Sequence, residues 1–347
     1  MKHSLAVDIG LPLGLLILLC IGAFAVGQFP VSPHDLFAVL WARISGSASG
    51  VAPTVDAVIW HVRLPRIAAA VLVGAALAGA GSTYQGLFRN PLVSPDILGV
   101  AAGAGLGAVF GIFLSVSIIT VEVLAFAGGL GAVAVVYLIG TAMRGRDPIL
   151  VLVLAGVAMG TLLGAAIALV KVFADPYNQL PAITFWLLGS LTAVTLPDLA
   201  AAVPAILVGL VPLYLLRWRM NVMTLGEEEA KSLGVNTSLL RFLFIAGATL
   251  ITSAAVSISG IIGWIGLIIP HVARLIAGPE FSRLLPVSML MGAAYLLLVD
   301  TLARTQFDDY VKRVRVFAHP RLVERINASG AFQPCLATAI ERQKDEG

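Results

Sequence analysis

Side chains able to do chemistry are sparse in this chain, and they gather in three short segments. Arg63-Leu64-Pro65-Arg66 sets two guanidinium groups on either side of a proline. Forked donors of that kind suit carboxylates on a partner. They serve equally as interfacial arginines whose charged heads reach out to water. The second segment runs from Arg89 to Pro95, RNPLVSP. Asn90-Pro91 breaks a helix, Ser94 can cap the next one, Pro95 fits its first position, and Asp96 complements its dipole. A sharply capped loop suits a gate, and it suits any short connection between helices as well. The third segment is MTLGEEEAKSLGV, Met223 to Val235. Thr224 stands in capping-box spacing from Glu227. Glu227, Glu228 and Glu229 then fill a first turn, where negative charge is favoured, and Gly234 can end the helix. The pattern predicts a helix of about two turns with Ala230 and Leu233 on a small apolar face, either solvated or docked on another protein.

Covalent chemistry has little to work with. No G-x-x-x-x-G-K-[ST] phosphate loop and no H-E-x-x-H metal motif occurs. His271 stands alone after Pro270 and reads as a packing residue, so no metal is assigned. Cys20 lies inside an apolar run, and with Cys335 it makes no disulfide framework. An ion-coupled transporter would need ionisable groups paired deep in the membrane. The nearest candidates, Glu122 and Asp300, fall close to the ends of apolar runs. A net charge of +3, with no basic run interleaved with aromatics, gives no reason to expect nucleic acid.

The elements that position these segments are set by composition. Apolar residues make up 59% of the 347 and charged residues 12%, against roughly 45–50% and about 25% in soluble domains; the mean hydropathy is +0.97. The excess lies in separate runs near the ~20 residues a helix needs to cross a bilayer. About nine such spans can be placed, at roughly 9–27, 65–86, 96–115, 119–141, 148–171, 198–216, 238–260, 261–276 and 284–304. The chain is therefore expected to be an all-α polytopic membrane protein. With 5 tryptophans and 6 tyrosines it lacks the aromatic girdles of an outer-membrane barrel. The first run also carries an Ala23-Phe24-Ala25 site of signal-peptide type, but the many later spans need no cleaved leader. Glycines at 74, 79, 81, 99, 103, 105 and 107 would let helix backbones approach closely.

Loop charges set the orientation. With the N-terminus inside, inner loops hold Arg89, Arg144, Arg146, Arg217, Arg219, Lys231, Arg241 and Arg283. Outer segments hold Arg43, Arg63, Arg66, Lys171 and Arg304, and these outer arginines need a reason to be there. From residue 306 to 347 the chain turns polar, mixed in charge and unable to span a membrane. This divides it into an expected membrane domain, 1–305, and a tail.

The three segments, with FADPYNQLPAITFWLLGSL, GIIGWIGLIIPHVARL and LLPVSMLMGAAYLLLVDTLAR, together resemble the FecCD-type permeases. These are the membrane subunits of ABC importers for iron–siderophore complexes, haem and vitamin B12. The resemblance covers about Arg63 to Arg304. It implies a type II ABC importer bundle, in a cell (inner) membrane, that is a transporter subunit and not an enzyme. It implies a second permease subunit, identical or related, and two ATP-binding subunits that hold ATP and Mg. It also implies a periplasmic or lipid-anchored substrate-binding protein, and no cofactor on this chain. Arg63, Arg66 and Arg304 would meet glutamates of the binding protein. The stretch with Gly226, Glu227, Glu228, Glu229, Ala230, Leu233 and Gly234 would be the helix that couples to the ATPase. Arg89, Asn90, Pro91, Ser94 and Pro95 would lie at the cytoplasmic gate. Family members have ten spans, and the polar tail stands where the last is expected. A frameshift or truncated gene, hence a non-functional copy, and a divergent tail are the two readings of that tail.

Overall fold

The computed structural model describes residues 5–27, 31–46, 50–143 and 147–306. The expected tail falls outside them except for Gln306, as do Cys335 and two of the inner arginines, Arg144 and Arg146. Every regular element among the described residues is a helix, with no strand. In order come α1 (Leu5–Ala25), α2 (Pro33–Ser45), α3 (Pro53–Ala57), α4 (Leu64–Leu87), α5 (Val100–Phe113), α6 (Ile118–Ala142) and α7 (Pro148–Phe173). They are followed by α8 (Gln179–Leu188), α9 (Leu196–Leu215), α10 (Arg217–Met223), α11 (Glu227–Ser232), α12 (Thr237–Ser259), α13 (Ile265–Ala277) and α14 (Phe281–Gln306). Among the described residues, 7 helical stretches are long and apolar enough to cross a membrane, and α5, α8 and α13 are shorter apolar helices.

Local chemistry explains where the helices start. The Asp147 carboxylate accepts from the Ile149 N–H with Pro148 in the first turn of α7. Ser117 opens α6 by accepting from Thr120, and Asn236 opens α12 by accepting from Leu239. The Asp198 carboxylate accepts from both the N–H and the hydroxyl of Thr195 at the head of α9. Each cap satisfies donors that a helix start leaves without partners.

Glycine brings the helices together at backbone distance. A Cβ on Gly74 would strike the Gly292 carbonyl of α14, and one on Gly81 would strike the Gly266 carbonyl of α13. Gly103 and Gly107 of α5 meet Gly128 and Leu124 of α6 in the same way. With no solvent-driven force between helices in lipid, such close packing supplies the attraction. Gly79 and Gly105 instead meet side chains, Met289 and Ile167 among them. Tyr84, fully buried, shares a 2.9 Å hydrogen bond with Thr249 and fixes α4 against α12.

Three expectations about the spans need correction. The second span does not begin at Pro65. A continuous helical stretch runs from Pro53 to Leu87, and its residues Val58–Arg63 form a π-helical turn. Pro65 has no N–H to donate, and the wide turn, in which Leu64 donates to Ile59, carries the helix past that gap. The third span opens as a 3-10 turn, Pro95–Leu98. Gly99, at φ +80°, then redirects the chain into α5. Lastly, 238–260 does not pass directly into 261–276: α12 stops at Ser259 and α13 starts at Ile265.

Candidate functional site

The inner segment is built as an anchored hook. α10 ends at Met223, and the Thr224 hydroxyl donates to the Asn221 carbonyl. Thr224 thus closes α10 rather than forming the expected capping box with Glu227. The residue that opens α11 is Gly226, at φ +141°, where a Cβ would run into the Glu229 carboxylate. Glu227 receives Arg241 of α12 at 2.6 Å and Lys231 at 2.9 Å, with the Thr237 hydroxyl at 3.4 Å. Partial burial opposes ionisation of Glu227, but the Lys231 hydrogen bond and the Arg241 charge outweigh it. They hold the carboxyl below the usual range. At the far end Gly234, at φ +76°, donates to Lys231 and Val235 donates to Ala230, the paired bonds of a Schellman stop.

This anchoring separates the two apolar residues expected on one face. Ala230 is fully buried against the bundle, whereas Leu233 is exposed. One turn of a six-residue helix puts Ala230 inward because Glu227, on the same side, is tied to Arg241. The outward surface holds Leu225 and Leu233 with Glu228 and Glu229 between them.

The 89–95 segment is stitched by a residue that sequence reasoning did not single out. After α4 the chain turns through Arg89 at φ +50°, and the Asn90 side chain accepts from the Leu92 N–H. Pro91 is exposed in this turn, while Pro95 packs against Gly266. Ser94 sits at the capping position, but its side chain makes no capping hydrogen bond. Holding all of this is Gln85. Its amide donates to the carbonyls of Val93 (3.3 Å) and Leu267 (3.1 Å), and its oxygen accepts from Arg274 (3.1 Å). It is a polar residue near the end of a glycine-rich helix, buried at 2% exposure.

At the outer end the three arginines do come together, but they are not free forks on a surface. Arg63 is buried and donates to the Phe24 carbonyl, and Arg304 donates to the Ala23 carbonyl. Both therefore serve the C-terminus of α1, where carbonyls lack partners and positive charge is favoured. Arg66 grips Asp300 of α14 with two parallel bonds, 2.7 and 2.8 Å. The outer arginines thus have an internal reason to be where they are. No group of three or more His, Cys, Asp or Glu side chains able to hold a metal ion occurs among the described residues. His271 is exposed on α13.

Comparison with known proteins agrees with this architecture. Residues 15–319 match the model of the FecCD transport family, so the likeness continues past Arg304. The chain is 39% identical over 295 residues to the molybdate import system permease protein MolB of Haemophilus influenzae, covering 85% of this chain and 86% of that one. It is 42% identical over 248 residues to an iron chelatin transport system permease protein of Helicobacter pylori strain 26695, covering 72% and 74%. A solved structure described as an inward-facing conformation of a metal-chelate type ABC transporter superposes with a TM-score of 0.77 at 36% identity. That match covers 86% of this chain and 90% of the other. This chain belongs to the FecCD transport family: it is a multi-pass membrane permease subunit of the ABC importer class, a transporter component and not an enzyme.

Proposed function

We propose that the chain carries an iron(III)–siderophore complex across the cytoplasmic (inner) membrane, driven by ATP that a separate subunit hydrolyses. Two permease subunits, identical or related, enclose the path. Two ATP-binding subunits, which hold ATP and Mg, seat on the inner face, and a substrate-binding protein delivers cargo outside. The observation that carries the reading is α11. A short helix locked to α12 by Glu227 and Arg241 (2.6 Å), with Leu225 and Leu233 turned outward, is suited to pass a rigid-body push from a docked partner into the bundle. Glu228 and Glu229 offer charge around that apolar contact, and Gly226 and Gly234 fix the helix at its two ends. The loop with Arg89, Asn90, Pro91, Ser94 and Pro95 serves as the gate that the push opens. Binding-protein carboxylates dock at the cluster of Arg63, Arg66 and Arg304, competing there with the α1 carbonyls and Asp300 that those arginines hold.

The choice of an iron chelate is supported by the Helicobacter relative and by the metal-chelate structure. Haem or vitamin B12 are the alternatives of similar bulk. A compact oxyanion is a second reading, favoured by the likeness to the molybdate permease. Uptake of radiolabelled ferric siderophore into cells carrying the complete transporter tests the choice. Excess unlabelled ferric siderophore should compete, whereas haemin, cobalamin and molybdate should not. Competition by molybdate alone would overturn it in favour of the oxyanion.

A further inference from the structure

Two interruptions of the helices meet inside the bundle. One follows α8, where Gly189 at φ +70° leads into a non-helical stretch that ends at Thr195. The other follows α12, where Gly260 at φ +68° leads into residues 261–264. The Ser190 N–H donates to the Ser259 carbonyl at 2.7 Å. A Cβ on Gly189 would strike the Ile261 carbonyl, and one on Gly260 the Trp186 carbonyl. The two breaks are one backbone-to-backbone junction.

Its depth can be read from the helix register. Tyr84, near the inner end of α4, bonds to Thr249 of α12. From Thr249 to Gly260 is about 16 Å outward along a helix rising 1.5 Å per residue. That places the junction about 20 Å from the inner end of α4, inside a ~30 Å hydrocarbon layer and about two thirds of the way across it. Yet Ser190, Gly263 and Trp264 are exposed there, Trp264 at 72%. Non-helical backbone at that depth is tolerated where protein covers it or water reaches it, and not against acyl chains. Trp264 also sits at φ +70°, a left-handed conformation that an aromatic residue adopts only when its surroundings hold it there. Beside it opens a depression lined by Asp96, Ser94, Ile261 and Ile262, in which Asp96 is the charged group. Asp96 is itself exposed.

We propose that residues 189–195 and 260–264 form the wall of the aqueous path inside the membrane, with the Trp264 indole and the Asp96 carboxylate as the groups that cargo meets. This rests on the importer reading and deepens it. An aromatic face beside a carboxylate takes a bulky chelate with apolar faces and neutral or positive charge, and it disfavours a compact anion.

Thiol accessibility tests the wall without cargo. S190C, G263C and L18C are each placed in a C20S/C335S full-length chain in membranes. They are treated with membrane-impermeant methanethiosulfonates carrying either a quaternary ammonium or a sulfonate group. S190C and G263C should label on the order of tenfold faster than L18C, which marks an exposed position in the middle of α1. The cationic reagent, scaled to its reactivity with free thiol, should lead the anionic one by about fivefold at G263C. D96N should erase that preference. Labelling at the L18C rate, in protein that still supports ATP-driven uptake, overturns the wall alone. A charge preference that survives D96N overturns the role of Asp96. Fast labelling in a parent protein without ATP-driven uptake overturns the importer reading instead.

Discussion

Replacing Glu227 with Gln should release α11 from the bundle while leaving the rest of the fold in place. In the native chain the carboxylate pairs with Arg241 at 2.6 Å, and Arg241 is 8% exposed. The substitution keeps the shape, removes the charge, and leaves a largely buried guanidinium without its counter-ion. A hydrogen bond to a charged group contributes about 1.5–3 kcal/mol. The second contact, to Lys231, joins a half-exposed i,i+4 pair and adds only about 0.3–0.5 kcal/mol. Together they amount to about 2 kcal/mol, or roughly a thirtyfold rise in the fraction of time that α11 is open. Hydrogen exchange read by mass spectrometry on peptides covering 226–236 should accelerate by about that factor, with peptides from α4 and α12 unchanged. The same variant should lose coupling, hydrolysing ATP without moving cargo. Exchange within about threefold of the parent would refute the anchoring argument, because Arg241 would then have found another partner at no cost.

The pH dependence of the same lock has a definite sign. Glu227 is held below its ordinary value, so its contribution is fully present above about pH 4.3 and fades as pH falls through the lowered folded value. Exchange of the 226–236 peptides, corrected for intrinsic rate, should be flat from neutral pH to about 5 and rise below 4 in the parent but not in E227Q. Gln85→Leu removes two donors and one acceptor that join the gate loop to α13. It should cost about 1–3 kcal/mol and expose 89–95 to limited proteolysis, while an unchanged cleavage pattern would deny Gln85 its holding role. Gly81→Val drives a side chain into the Gly266 backbone. It should cost about 3 kcal/mol and lower the melting temperature in detergent, whereas Val at Gly164, where nothing crowds the added carbon, should not. In a double-mutant cycle Arg66→Met and Asp300→Leu should show a coupling of about 2 kcal/mol; additive losses would mean the pair is structurally idle.

The long spans, the inner capped segment and the glycine contacts were legible because each follows from local rules. Runs such as 148–171 are too apolar to be anything but a span, and Gly74 or Gly103 in such a run marks a close backbone approach. Gly234 ended α11 as its residue type requires. What escaped depends on partners far along the chain. Arg63 and Arg304 look like free charges until α1 folds back and offers its last carbonyls. Arg66 looks free until Asp300, 234 positions later, arrives beside it. Thr224 had two carbonyl and amide partners within reach, and the tertiary placement of α10 chose between them. The half-helix α8 and the break before α13 are too short for a hydropathy window of membrane length, so the junction they form could be found only in three dimensions. Gln85 was not legible, since a single amide in an apolar helix carries no spacing signal of its own.

The central claim is that ATP hydrolysed on a partner seated against α11 drives cargo inward through this chain. Liposomes holding the chain with its ATP-binding subunits and binding protein, loaded with labelled ferric siderophore on the binding-protein side, test it most directly. Accumulation should require Mg-ATP on the side of α11 and stop when the ATPase is inactivated. Accumulation that proceeds without ATP and follows an imposed proton or sodium gradient would contradict the account.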